Sequence, residues 1–198
     1  MFADGIDNLD DYIEAHRPMK QEPISKEKEE MLSMLSGRGS AVSRVLGDEV
    51  KFKDGFDTHI IKVESIVRKG NKGVVGGHNL DNFMKVFKDN GWDIDECILI
   101  TKKHPFIEGI FEIKYGIPKL DREGIIIPGE LKVVHQPKTV YDPSIISDED
   151  LIEWGKDAMR NCTINNRNID GISSNGLRFR GYLNEETGEI TNFFPKID

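Results

Sequence analysis

Apolar and polar positions alternate along this chain with two different periods. In LDNFMKVFKDNG (80–91), Leu80, Phe83, Met84 and Phe87 recur at i, i+3, i+4 and i+7, and Gly91 is placed to stop the helix. Ser147-x-x-Asp150 is a capping-box-like start for a second helix, DEDLIEWGKDAMRN, whose Leu151, Trp154 and Ala158 would face the core. Between these helices the period is two. HIIKVESIV (59–67) reads as a strand or a bent strand pair, and CILITK (97–102) as a strand. GIFEIKYGIP (109–118) carries bulk on both faces, as a central strand does. Residues 120–142 hold a hairpin-like turn and a further strand, LKVVH, while 172–195 read as two strands around the turn NEETGE. The stretch RKGNKGVVGGHN (68–79) is a glycine-rich loop.

The first fifty residues have a different texture. Ser25 is placed to cap a helix over KEKEEMLSMLS, with Met31, Leu32 and Leu35 as a narrow apolar face, and GRGSAVSRVLGDE reads as a linker. The expected organisation is an appendage of helix and linker over 1–50 and a folded domain over 51–198. Helices are not interleaved one-for-one with strands, which predicts an α+β fold with antiparallel sheet rather than a doubly wound parallel one.

Composition narrows the function. The 198 residues carry 27 Lys plus Arg against 35 Asp plus Glu, a net charge of −8. That excludes an overall basic nucleic-acid binder but leaves room for a small basic site, since specificity lies in contacts rather than net charge. No apolar run approaches the roughly 18–20 residues of a membrane span, and no basic-then-apolar leader opens the chain, so no secretory signal is expected. Cys97 and Cys162 show no metal spacing and are expected to be reduced thiols. His16, His59, His78, His104 and His135 form no HExxH or HxH pair, so no metal and no cofactor is expected.

Four features can carry chemistry, each with an ordinary structural alternative. Gly76-Gly77-His78 sits at a loop-to-helix junction, where glycines let backbone approach a ligand and the helix start attracts phosphate. Equally, the glycines make a tight turn and His78 caps the helix. His59 is either a strand-face histidine or half of an acid–base pair with His78, suited to metal-free RNA cleavage. Lys114, within an apolar strand, either reaches a cleft or points to solvent beside Glu112. Thr191 and Phe193, two apart, either bind a base or belong to an ordinary terminal strand.

Taken in order, His59, Gly-Gly-His78, Gly-Ile-Phe-Glu-Ile-Lys114 and Ile-Thr191-Asn-Phe193-Phe-Pro resemble the bacterial EndoU-type ribonucleases, over roughly residues 56–198. Many members of that family are C-terminal toxins of contact-dependent inhibition and related polymorphic toxin systems. The resemblance implies two small antiparallel β-sheet lobes with packed helices, related to barnase and colicin-type nuclease toxins. It implies His59 and His78 as the acid–base pair and Lys114 as the group that stabilises the charged transition state. It implies Thr191 and Phe193, with Gly76 and Gly77, as substrate contacts. Lys69, Lys72, Arg178 and Arg180 would either flank the cleft as phosphate contacts or lie on a solvated surface.

The implied reaction is attack by the ribose 2′-OH without a metal, leaving a 2′,3′-cyclic phosphate and a 5′-OH. The implied substrate is RNA, tRNA in particular, and the implied partner a cognate immunity protein. The setting would be an effector delivered by secretion or from the cell surface, acting in the cytoplasm of a target bacterium. Two departures stand out: a longer gap between the histidines, and a long acidic-capped helix before the last hairpin. The rival reading is a non-enzymatic binding or immunity-type protein with structural histidines, which the net acidity favours.

Overall fold

In a computed structural model, which describes residues 50–197 apart from Asn166, two apolar cores organise the chain. The helix expected over the first fifty residues lies outside the described residues.

The first core belongs to a five-stranded sheet. Its strands are β1 (Lys51–Phe52), β8 (Cys162–Asn165), β9 (Asn168–Ile172), β10 (Arg178–Leu183) and β11 (Glu189–Lys196), in the order β1-β11-β10-β9-β8. All pairings are antiparallel except β1 with β11. Helix α4 (Asp148–Arg160) packs on one face and contributes Leu151, Ala158 and Met159 to the core. Ser147 caps it as expected, its Oγ accepting from the Asp150 amide at 3.0 Å.

The second core lies under a sheet centred on β5 (Ile110–Leu120). Strand β5 pairs with β4 (Ile98–Lys103), β6 (Ile126–Val133) and β7 (Lys138–Tyr141). The short hairpin of β2 (Val63–Ile66) and β3 (Val74–Gly76) and helix α2 (Leu80–Asp89) complete this half. Phe83 and Phe87 of α2 are fully buried against Tyr115, ring centroids 5.1 and 6.0 Å away. A short helix α3 (Ile94–Cys97) leads into β4. Two small sheet lobes with packed helices, the α+β class expected, are the result.

Three elements depart from the sequence pattern. His59 lies not on a strand but in the last turn of helix α1 (Phe56–Ile61), because Phe56 and Ile60, four apart, share the face that packs into the first core. Strand β7 is buried at all four positions and was masked by Pro137 before it and Pro143 after it. Strands β8 and β9 have only partly buried, mostly polar sequences, CTIN and NIDGI, so their apolar signal is weak. Cys97 and Cys162 are both buried free thiols.

Candidate active site

The turn from β3 into α2 is closed against α1 by backbone contacts that only glycine permits. Gly76 and Gly77 have φ of 68° and 65°, and a side chain on Gly77 would lie 2.3 Å from Val63 Cγ2. At that distance the Gly77 amide donates to the His59 carbonyl at 2.9 Å, and the His78 amide to the Ile60 carbonyl at 2.6 Å. The two glycines thus bring His59 and His78 together, and the Gly77 amide is spent on His59 rather than on a ligand. The imidazole rings stand 5.9 Å apart.

Each ring is held by one nitrogen. His78 Nδ1 lies 2.6 Å from the Thr139 carbonyl oxygen, which can only accept, so Nδ1 carries the proton and Nε2 is left as the basic nitrogen. Burial, then the nearby Lys138 ammonium, hold the His78 pKa well below the ordinary value of 6.5, so the ring is neutral at pH 7. His59 Nδ1 lies 3.0 Å from Glu64 Oε1, on β2, which likewise turns Nε2 outward from the pair.

Lys138 supplies the positive charge at this place. It opens β7, directly across from Ile113 of β5, and is 8% exposed. Burial lowers its pKa from 10.5 to about 7, while Glu64 acts in the opposite direction. Its Nζ lies 3.5 Å from the Val74 carbonyl and 5.9 Å from the centre of the Phe83 ring.

Lys114 is not brought to this cluster. It alternates with Ile113 and Tyr115, which are 1% and 2% exposed, so its side chain leaves the opposite face of β5 and is exposed. The residue that reasoning from the pattern missed is Lys138. Its signal was a lysine inside the short apolar run KTVY, a buried strand too brief and too closely flanked by proline to stand out.

The C-terminal strand shows a one-residue shift. Tyr182 pairs with Asn192 and Leu183 with Ile190, so Thr191 is the extra residue of a β-bulge. The bulge turns Phe193 inward, fully buried against Phe52, Phe56 and Phe179. Thr191 donates its hydroxyl to the Tyr182 carbonyl at 3.1 Å. Asn192 and Phe194 take the outer face instead. The Phe194 ring stacks on His78 at 5.2 Å with planes 9° apart. Asn192 Oδ1 is buried with no hydrogen-bond partner among the described residues.

Of the expected phosphate contacts, Lys69 and Lys72 are exposed on the turn between β2 and β3. Arg178 and Arg180 lie on β10, and Arg180 forms a two-pronged pair with Asp170 at 2.9 and 3.0 Å. No helix among the described residues is long and apolar enough to cross a membrane.

The family model of the bacterial EndoU nucleases matches residues 53–197. Two similar proteins bear the name tRNA nuclease CdiA. That of Yersinia mollaretii is 29% identical over 150 residues, which are 74% of this chain and 5% of the relative. That of Escherichia coli is 31% identical over 153 residues, 74% of this chain and 4% of the relative. The chain therefore spans about one-twentieth of the length of these relatives. With a match that runs through both lobes and the histidine pair, this chain belongs to the bacterial EndoU nuclease family.

Proposed function

We propose that this chain is a metal-independent endoribonuclease toxin module that cuts RNA by attack of a ribose 2′-OH on the adjacent phosphate. The observation that carries the reading is the pair of imidazoles 5.9 Å apart, each tied at Nδ1 and each left with Nε2 for proton transfer. His78, held neutral, takes the 2′-OH proton through Nε2. His59 delivers a proton to the departing 5′-oxygen. The phosphorus–oxygen bond to the 5′-oxygen breaks as the bond to the 2′-oxygen forms, leaving a 2′,3′-cyclic phosphate and a 5′-OH. DNA, which lacks the nucleophile, is inert.

Lys138, rather than Lys114, faces the charge that develops on the phosphate, since it is the lysine whose field reaches His78. Phe194 and Asn192 take the base of the reacting nucleotide: Phe194 by stacking, Asn192 Oδ1 by accepting from a base N–H, which supplies its missing partner. The substrate we propose is tRNA, the class in the names of the two relatives. The module acts in the cytoplasm of a target bacterium after delivery as part of a longer effector, and is countered by an immunity protein that binds it.

Incubation of total RNA with the protein in EDTA, followed by end mapping, tests this. Cyclic phosphate and 5′-OH ends on tRNA fragments are expected. Ends bearing 5′-phosphate, cleavage of DNA, or activity that requires a divalent ion would overturn the mechanism.

A further inference from the structure

The outer face of the five-stranded sheet extends the site. Phe179 and Gly181 of β10 face inward, Phe179 being 1% exposed and a side chain on Gly181 meeting Met159 Sδ of α4 at 2.6 Å. Their neighbours Arg178, Arg180 and Tyr182 therefore point out. Across the ladder they pair with Lys196, Phe194 and Asn192 of β11, and with Ile172, Asp170 and Asn168 of β9. Among these positions Asp170 is the one carboxylate, in a chain whose net charge is −8.

Planar groups follow one another along this face. Phe194 stacks on His78 at 5.2 Å, Tyr182 lies 6.1 Å beyond Phe194, and the Arg167 guanidinium sits 5.5 Å over the Tyr182 ring. Tyr182 is half-buried and Arg167 exposed, so both are open to a ligand. Bases stack on guanidinium planes and aromatic rings alike, and a cationic face with such planes suits single-stranded nucleic acid. An exposed cation–π pair adds little to stability, so core packing gives no reason for this pairing.

We infer that Tyr182 and Arg167 form a second nucleotide subsite, which takes the base on the 5′ side of the reacting nucleotide. This rests on the ribonuclease reading above and extends it. The direction follows from the order of the row. Phe194 lies between the histidines and Tyr182. With Phe194 holding the nucleotide whose 2′-OH attacks, the chain 3′ of the cut leaves past the histidines, and the 5′ neighbour reaches Tyr182.

The test uses the full chain and the dinucleotide step that it cuts in total RNA. That step is offered alone, extended by one nucleotide on the 5′ side, and extended by one on the 3′ side. The 5′ extension is expected to raise kcat/KM by between about five- and about a hundredfold, mostly through KM, as one stacked base allows. Tyr182→Ala and Arg167→Ala should each remove most of that gain, while Tyr182→Phe keeps it. Arg167→Ala, an exposed change, guards against a Tyr182→Ala chain that fails to fold. A gain that persists in both alanine variants overturns the subsite, as does a gain that follows the 3′ extension. Dinucleotide cleavage with no gain on 5′ extension overturns the subsite alone, whereas no RNA cleavage by the unaltered chain overturns the ribonuclease reading with it.

Discussion

In the role proposed for it, Lys138 serves function at the expense of stability. Removing an ammonium from water is unfavourable, and burial brings its pKa from 10.5 to about 7. Between about pH 7 and 10.5 the unfolded chain holds this proton and the folded chain does not, so stability rises with pH across that window. Below about 7 both states are protonated and the full penalty is present. Lys138→Met should therefore raise the melting temperature by at least ~2–4 °C, the shift for ~1 kcal/mol in a chain of this size. The gain should be largest at or below about pH 7 and shrink toward about pH 10, as calorimetry across pH would show. The same variant should lose about 10²–10³ in kcat, the usual loss on removing one preorganised partner of the transition-state charge. In the native chain kcat/KM, which reports the free protein, should fall as pH rises through about 7 and the ammonium is lost. If the variant is both less stable and fully active, Lys138 is an ordinary core residue.

Glu64 offers a second prediction at this scale. Its Oε1 lies 3.0 Å from His59 Nδ1, and its charge also reaches Lys138. Glu64→Gln keeps an oxygen facing His59 Nδ1 but loses the charge, whereas Glu64→Ala loses both. If orientation of His59 is what matters, the glutamine variant should retain most of kcat and the alanine variant should fall by about tenfold or more. Equal losses would assign the effect to charge.

Single elements explain what could be read in the sequence and what could not. Helices α2 and α4 were legible because each states its own 3.6-residue period, and α4 its cap as well: Ser147 caps α4, and Phe83, Phe87, Leu151 and Ala158 are buried. The last hairpin was legible from its turn. The histidine pair was legible because Gly-Gly-His is a local backbone device. Lys138 and Phe194 were not, because each depends on register. Lys138 shares a face with Ile113 only once β7 is paired with β5. Phe194 faces out only because Thr191 is the extra residue of a bulge, and a shift of one position reverses every side chain after it.

The glycine turn yields a prediction that belongs to this scale. Gly70 and Gly77 share a left-handed backbone, φ 63° and 65°, but nothing lies within 4 Å of a side chain at Gly70. Gly70→Ala should cost only the backbone term, ~1 kcal/mol. Gly77→Ala adds the collision with Val63 and should cost ~2–3 kcal/mol or more in denaturant unfolding. Only Gly77→Ala should also lose cleavage, since its amide ties to His59.

The whole molecule presents the proposed RNA substrate with opposed fields. A net charge of −8 repels RNA at long range, yet the outer face of the five-stranded sheet gathers Arg167, Arg178, Arg180 and Lys196 near the proposed base contacts. Arg180 already pairs with Asp170, which leaves it a smaller share in phosphate binding. Each phosphate neutralised on a single strand contributes about −0.7 to the slope of log affinity against log salt. With two to four such contacts, log kcat/KM for an oligonucleotide should fall with log salt at a slope of about −1.4 to −2.8. Arg167→Ala should make that slope shallower by about 0.7. A change of an acidic residue on the far side, such as Glu153→Gln on α4, whose ion-pair partner is Lys156 of the same helix, should raise the rate at low salt and leave the slope as it was, because it alters the distant field and no proposed RNA contact. A flat salt profile would mean that recognition rests on the bases alone. A slope well beyond −2.8 would place basic residues outside this face in contact with the RNA.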